Sequence, residues 1–219
     1  MTTETKVNLE LVLTLRAKGM QNNQEIEFLD FGAGNPSDKR TEQEMKEGKA
    51  TTTTVAKLSS IGLKNEWSEW IYNVVLEKKP KVVLELGTCC GFSAITMALA
   101  SKESQIYTLE GAKTIAELAK NNIKEAGVQN ITQVIGRFSD TLPDLLAKIA
   151  PIDFAFIDGH HDKDATLKYF EQIRPFMSQN AIMAFDDISW SDGMKEAWLQ
   201  IKSCIKQYED LGKIGVCYL

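Results

Sequence analysis

Five acidic side chains are predicted to end strands at one edge of a sheet. Glu85 lies near the end of the first predicted strand, Glu110 follows the second, Asp158 follows the fourth, and Asp186 and Asp187 follow the fifth. The carboxyl ends of parallel strands share an edge, so carboxylates that are distant in sequence would meet there. Crowded like charges need compensation by cations or hydrogen-bond donors. The pattern therefore predicts a site for a cationic ligand or a metal ion.

An alternative interpretation is that strand-ending acids only cap the helices that follow them. A cap explains any single acid, and Asp140 and Asp192 suit that role. Five acids at one edge favour the binding site instead.

The turn after the first predicted strand has the sequence E-L-G-T-C-C-G-F-S, residues 85–93. Gly87 permits a sharp turn and a close approach by a ligand, and Gly91 permits tight entry into a helix. The spacing matches neither the dinucleotide fingerprint G-x-G-x-x-G nor the phosphate loop G-x-x-x-x-G-K-[ST]. Glu110 comes about 20 residues later, where an acid on the second strand binds ribose hydroxyls. These features indicate an adenosine ligand without phosphates, which points to S-adenosylmethionine (SAM).

A second glycine-rich stretch, D-F-G-A-G-N at residues 30–35, also resembles a cofactor turn. Pro36 follows it, and no apolar helix comes next. We therefore predict a lid or a structural turn here rather than the cofactor cradle.

The elements that would position these residues alternate between strand and helix from Glu66 onward. Predicted strands cover 82–86, 106–109, 131–135, 154–157, 181–185 and 216–219, and predicted helices cover 67–75, 93–100, 114–126, 142–149, 165–173 and 193–205. This order predicts an α/β fold, a doubly wound and mostly parallel sheet with helices on both faces. Residues 1–60 are predicted to form an N-terminal helical extension that could act as a lid, and residues 61–219 the SAM-binding domain.

Composition and charge limit the classes of partner. The formal net charge is −5, hydrophobic residues make up 43%, and no Lys/Arg cluster suggests nucleic-acid binding. The N-terminus lacks a signal-peptide pattern, and no apolar run approaches the roughly 20 residues that span a bilayer. The four cysteines form no C-x-x-C pair, so we expect reduced thiols. We expect a cytoplasmic protein without nucleic-acid or membrane partners, and a homodimer is a reasonable expectation.

Three motifs carry a family resemblance: V-L-E-L-G-T-C-C-G-F-S at 83–93, F-I-D-G-H-H at 156–161 and F-D-D-I-S-W at 185–190. With Glu110 between the first two, residues from roughly Trp67 to Trp198 resemble class I SAM-dependent methyltransferases. The closest likeness is to the metal-dependent small-molecule O-methyltransferases, including catechol O-methyltransferase and antibiotic-tailoring relatives.

The resemblance implies a role for individual residues. The methionine portion of SAM would lie on Gly87 and Ser93, and the ribose hydroxyls on Glu110. The SAM-binding set that the resemblance implies is Glu85, Gly87, Gly91, Ser93, Glu110, Phe138, Ser139, Asp140 and Asp158, with residues 138–140 at the adenine. Asp158, Asp186 and Asp187 match the positions of divalent-metal ligands, although catechol O-methyltransferase has an asparagine where Asp187 stands. Three carboxylates suit a hard cation such as Mg²⁺.

Two histidines follow Asp158, and they are the only histidines of the chain. His161 stands three residues after Asp158, where the family places a lysine or histidine base, and a histidine can accept a hydroxyl proton near neutrality. His161 is the first candidate for the base and His160 the second; the alternative is that both are exposed loop residues or helix caps. Trp190 would either wall the acceptor pocket or pack in the core.

Together these features predict a SAM-dependent methyltransferase that methylates a hydroxyl of a small molecule with help from Mg²⁺ or a similar divalent cation. Two alternatives stay open, because a fold alone does not define a function. One is a metal-independent N-methyltransferase in which the acids hold an amine. The other is a protein that binds SAM or a partner without catalysis.

Overall fold

The computed structural model describes residues 2–219. The helices, in chain order, are α1 (Thr3–Met20), α2 (Glu42–Glu47), α3 (Val55–Ser59), α4 (Glu66–Lys78), α5 (Phe92–Ala100), α6 (Lys113–Ala126), α7 (Phe138–Ile149), α8 (Lys163–Ile173) and α9 (Asp192–Ser203). The strands are β1 (Glu25–Asp30), β2 (Lys49–Thr54), β3 (Val82–Leu86), β4 (Gln105–Glu110), β5 (Ile131–Ile135), β6 (Ile152–Ile157), β7 (Met177–Phe185), β8 (Gln207–Asp210) and β9 (Gly215–Tyr218). A short 3₁₀ turn, Arg174–Phe176, joins α8 to β7.

The main sheet has seven strands in the order β5-β4-β3-β6-β7-β9-β8. Strands β3 to β7 pair in parallel, and β9 pairs antiparallel with both β7 and β8. The chain reverses its direction of travel across the sheet at β3, which lies between β4 and β6. The carboxyl ends at such a reversal form the usual ligand crevice of a doubly wound sheet. The predicted fold class is confirmed.

Side chains that alternate between the two faces of β3 show why helices cover both faces of the sheet. Leu84 and Leu86 are fully buried in a cluster that includes Leu142 of α7, Tyr169 of α8 and Trp198 of α9. On the other face, Val83 joins a cluster formed with α4 and α5. Near-continuous apolar strands of this kind require cover on both sides.

The N-terminal segment contains more structure than the sequence indicates. The predicted helical extension contains an 18-residue helix, α1, and β1 and β2 form an antiparallel pair that was not predicted. Arg16, only 5% exposed, docks α1 by donating hydrogen bonds to the carbonyls of Ser59, Ile61 and Leu63 at 2.6–2.8 Å. A hydrophobic pattern does not reveal this contact, because it joins polar groups of segments that are distant in sequence. Among residues 2–219, no helix has the length and apolarity needed to cross a membrane.

The C-terminal hairpin is the other departure from prediction. The predicted final strand is present as β9, but it is antiparallel, and β8 was not predicted because all four of its residues are exposed. Pairing of Phe185 with Gly215 brings the β8–β9 turn beside the residues that follow β7.

Gly87 sits where the ends of β3 and β6 nearly touch. Its φ is +101°, and a Cβ atom there would lie 2.0 Å from the carbonyl oxygen of Asp158. We expect Gly87→Ala to lower the free energy of unfolding by about 1–3 kcal/mol more than Gly62→Ala does, because backbone cannot yield to an inserted methyl group. Gly62 is the matched control, since its φ is +76° but no atom lies within 4 Å of the added Cβ. Urea unfolding of both variants measures the difference, and equal losses would contradict the close approach.

Candidate active site

A cavity of about 1120 Å³ opens at the carboxyl ends of the parallel strands. Ligand pockets are commonly about 300–1,000 Å³, so this volume has room for a nucleoside cofactor together with a small acceptor. The predicted site residues that line it are Gly87, Glu110, Phe138, Ser139, Asp158, His160, His161, Asp187 and Trp190. Five others, Glu85, Gly91, Ser93, Asp140 and Asp186, are not among the lining residues. The predicted roles of all fourteen stay predictions.

Glu110 connects the glycine turn to the end of β4. Its two carboxylate oxygens accept backbone N–H groups of Cys89 at 2.9 Å and Ala112 at 3.0 Å. Burial raises the pKa of Glu110, although these backbone hydrogen bonds oppose the rise. The carboxylate therefore holds the turn in place and also faces the cavity, where ribose hydroxyls would reach it.

Glu85 is fully buried beside the same turn. One oxygen accepts the hydroxyl of Thr108, and the other has no hydrogen-bond partner within residues 2–219. Burial raises the pKa of Glu85 from 4.5 to about 7, although the hydrogen bond from Thr108 opposes the rise.

This pKa predicts a pH-dependent stability. The folded protein binds the Glu85 proton more tightly than the unfolded chain does, so the stabilisation is complete below pH 4.5 and is lost as pH rises to about 7. Above that pH, the buried charged carboxylate lowers the free energy of unfolding by about 3 kcal/mol. Glu85→Gln cannot ionise. We therefore expect its free energy of unfolding to rise by about 3 kcal/mol relative to that of the wild-type chain as the pH increases from 4.5 to 8. Urea unfolding without ligand measures this difference. Glu103→Gln, at an exposed position, is the control; parallel pH profiles for wild type and Glu85→Gln would contradict the burial of a titrating carboxyl.

The predicted adenine residues occupy the first turn of α7. Phe138 contacts Tyr169 edge-on, with ring centroids 5.8 Å apart, and it lines the cavity together with Ser139. The Asp140 carboxylate instead pairs with Arg137 at 2.7 Å and accepts the Ser139 hydroxyl at 2.9 Å. Asp140 thus makes contacts typical of an acid in the first turn of a helix, as the capping interpretation expects.

The three predicted metal ligands lie close together at the ends of β6 and β7. Burial, together with the charges of Asp186 and Asp187, raises the pKa of Asp158 well above its ordinary value. Asp186 is only 1% exposed, and burial and Asp187 raise its pKa as well. Oxygens of Asp158 and Asp187 and a ring nitrogen of His161 lie within 4.8 Å of one another, a spacing that could hold a cation.

Lys213, in the β8–β9 turn, enters this acid group. Its ammonium donates hydrogen bonds to both oxygens of Asp186, at 2.7 and 2.8 Å, and to Asp187. Burial acts to lower the pKa of Lys213, but the charges and hydrogen bonds of the two aspartates outweigh it and the pKa is raised. Sequence reasoning missed Lys213. The one available signal was the final strand: an antiparallel pairing with 181–185 places residue 213 beside Asp187.

The two histidines have different surroundings. The His160 ring bonds the Tyr169 hydroxyl at 2.9 Å, and the His160 carbonyl accepts the backbone N–H of Ala33 at 2.7 Å. The Nε2 atom of His161 lies 3.6 Å from the Asp158 carboxylate. Burial lowers the pKa of His161 despite the opposing charges of Asp187 and Asp186, so its imidazole is neutral at pH 7 and able to accept a proton. The structure therefore brings His161, rather than His160, to the acid group.

The glycine-rich stretch at 30–35 lines the same cavity as the strand-end residues. Arg40 fastens this loop by donating to the Asp30 carboxylate and the Gly32 carbonyl, both at 2.8 Å. Trp190 also lines the cavity and is 45% exposed, which excludes simple core packing for its side chain. Segments distant in sequence thus form a wall facing the strand ends.

Comparison with known proteins agrees with this geometry. Residues 84–188, which contain the glycine turn, Glu110 and the acid group, match the family described as a methyltransferase domain. This stretch of the chain is therefore similar to methyltransferase domains. Similar proteins include catechol O-methyltransferase of Bos taurus, 31% identical over 123 residues, with 51% of this chain and 45% of that protein covered. A caffeoyl-CoA O-methyltransferase of Populus kitakamiensis is 23% identical over 214 residues, covering 92% of this chain and 89% of the relative.

Solved structures show the same fold. The O-methyltransferase from Bacillus cereus in complex with SAH (S-adenosylhomocysteine) superimposes with a TM-score of 0.66 at 19% identity, over 97% of this chain and 91% of that chain. The chain spans about half the length of the catechol O-methyltransferases it matches.

Proposed function

We propose that this protein transfers the methyl group of SAM to a hydroxyl of a small molecule. The observation that carries the proposal is one cavity shared by the glycine turn with Glu110 and by the group of Asp158, Asp187 and His161. The first set suits a nucleoside without phosphates, and the second suits a hydroxyl that must lose a proton. The names of the O-methyltransferase relatives support the same reaction class.

The chain's own residues supply position and one proton transfer. Glu110 accepts the ribose hydroxyls, and Phe138 offers an aromatic edge for the adenine. His161 takes the acceptor's hydroxyl proton, and the oxygen's electron pair forms a bond to the methyl carbon while the carbon–sulfur bond breaks toward sulfur. The products are a methyl ether and SAH, and the enzyme contributes mainly orientation and electrostatics.

The predicted magnesium site needs a test against the residues present. Three free carboxylates would suit Mg²⁺. However, Lys213 uses both oxygens of Asp186 and one of Asp187, so the predicted set does not fit a divalent cation while Lys213 stays in place. A smaller set, Asp158, His161 and Asp187, has suitable spacing, but it would take His161 from its role as base. The Mg²⁺ assistance expected from the sequence is therefore not part of this proposal, and no step is assigned to a metal.

The two alternatives have less support. A cationic amine acceptor would need unpaired carboxylates, and Lys213 already neutralises one charge of the Asp186–Asp187 pair. A protein that only binds SAM would have no use for a neutral imidazole beside the acid group.

Two measurements test the proposal. Calorimetric titration with SAH should show one saturable site per chain. A panel of catechols and other small hydroxyl compounds, assayed for SAH release with and without EDTA, should then identify an acceptor. If well-folded protein binds neither SAM nor SAH, the proposed function is wrong.

A further inference from the structure

Asp186 is the least exposed of the three aspartates that follow β6 and β7, and Lys213 is its partner. The side chain of Asp186 is 1% exposed, and both of its oxygens bond the Lys213 ammonium. An ammonium group has three N–H donors, and here two reach Asp186 and one reaches Asp187. Lys213 therefore has no N–H donor left for a substrate, and its positive charge lies against the two aspartates.

The backbone holds Lys213 in this position. Its carbonyl accepts the N–H of Ile188, the residue after Asp187, at 3.0 Å. The turn around it is closed by bonds from Leu211 N–H to the Ile214 carbonyl and from Gly212 N–H to Asp210. Because both its backbone and its ammonium group are held in place, Lys213 is a fixed counter-ion and not an incidental surface contact.

We propose that Lys213 is the resident cation of the Asp186–Asp187 pair and excludes divalent metal ions from it. A metal ion at the pair would compete with the ammonium for both Asp186 oxygens and would lie beside its positive charge, so Lys213 opposes metal binding there. Lys213 is thus a positioning residue: it sets the carboxylates beside His161 and makes methyl transfer independent of added divalent ions. The catalytic consequence rests on the proposed function, whereas the exclusion of metal does not.

Metal binding without SAM or acceptor tests the exclusion directly. We expect Lys213→Gln to bind one Mn²⁺ per chain at least about tenfold more tightly than the wild-type chain, because a positive charge next to the ion is removed and three oxygens are freed. Titration calorimetry or the loss of the free Mn²⁺ EPR signal measures this. The gain should vanish in Lys213→Gln/Asp186→Asn, which lacks the buried carboxylate.

Lys195→Gln is the matched control, because Lys195 also pairs with an aspartate, Asp192 at 3.0 Å, but on the surface of α9. It should bind Mn²⁺ as the wild-type chain does. Should Lys213→Gln be destabilised by its unpaired Asp186, Mn²⁺ is expected to raise its melting temperature and not that of the wild type.

Two results would overturn the proposal: equal Mn²⁺ affinity in wild type and Lys213→Gln, or a variant that stays unfolded at saturating Mn²⁺. Neither result would bear on SAH binding, so the proposed function is tested separately. In the activity assay, wild-type SAH release is expected to persist in EDTA, and loss of release on chelation would contradict the metal-independent role.

Discussion

Replacing His161 with alanine is expected to lower the turnover of methyl transfer by about 100-fold to 10,000-fold and to leave SAH affinity unchanged. The imidazole lies beside Asp158 and Asp187 in the wall of the cavity, and the proposed ribose contacts are made by Glu110 rather than by His161. Because burial keeps the ring neutral, it can take the acceptor proton at pH 7. Without it, the acceptor must ionise unaided, so part of the lost rate should return at higher pH.

Single-turnover kinetics should be used for this measurement, because product release could otherwise conceal the chemical step. His160→Ala is the matched control: its ring is held by Tyr169, so we expect a smaller loss of turnover. Full turnover of His161→Ala under conditions where chemistry limits the rate would show that His161 is not the base. His160 would then be the next candidate.

Glu110→Ala is expected to weaken SAH binding by about 100-fold or more. Two ribose hydroxyls would lose charge-assisted hydrogen bonds that contribute about 1.5–3 kcal/mol each. The variant also releases the N–H of Cys89, which loosens the turn on which the cofactor would lie. Glu110→Gln keeps the shape and one carbonyl acceptor, so its loss should be smaller.

Calorimetry with SAH measures both variants, and circular dichroism establishes that each is folded. Glu117→Ala, at an exposed position of α6, is the control and should bind SAH as the wild-type chain does. An unchanged SAH affinity in Glu110→Ala would place the ribose elsewhere in the cavity and remove the main support for the cofactor assignment.

The sequence was sufficient to predict the five parallel strands of the sheet and most of the edge that they share. Apolar runs such as Val82–Leu86 have no other stable position than a strand covered on both faces, and their order along the chain implies parallel pairing. Once the strands are parallel, Glu110, Asp158 and Asp187 must meet at one edge. The glycine turn is similarly constrained, because a side chain at Gly87 would meet the end of β6.

Contacts between segments distant in sequence could not be predicted in this way. Asp140 follows a strand, as the other acids do, but its carboxylate pairs with Arg137. The loop at 30–35 carries no helix after its glycines, and only its attachment through Arg40 and His160 brings it to the cavity. Hydrogen bonds of this kind depend on how separate segments dock, and periodicity contains no information about docking.

Lys213 shows most clearly which part of the site the sequence could not predict. The types of Asp158, Asp186 and Asp187, and their places at strand ends, are properties of the sequence, and they determined that negative charge would gather at one point of the sheet. Which cation neutralises that charge was decided by the tertiary structure. The antiparallel β8–β9 hairpin returns the chain to the end of β7, and its turn delivers an ammonium group to Asp186. A final strand could be predicted from the sequence, but its antiparallel register on β7 could not, and that register brings a lysine 26 residues from Asp187 to the aspartate.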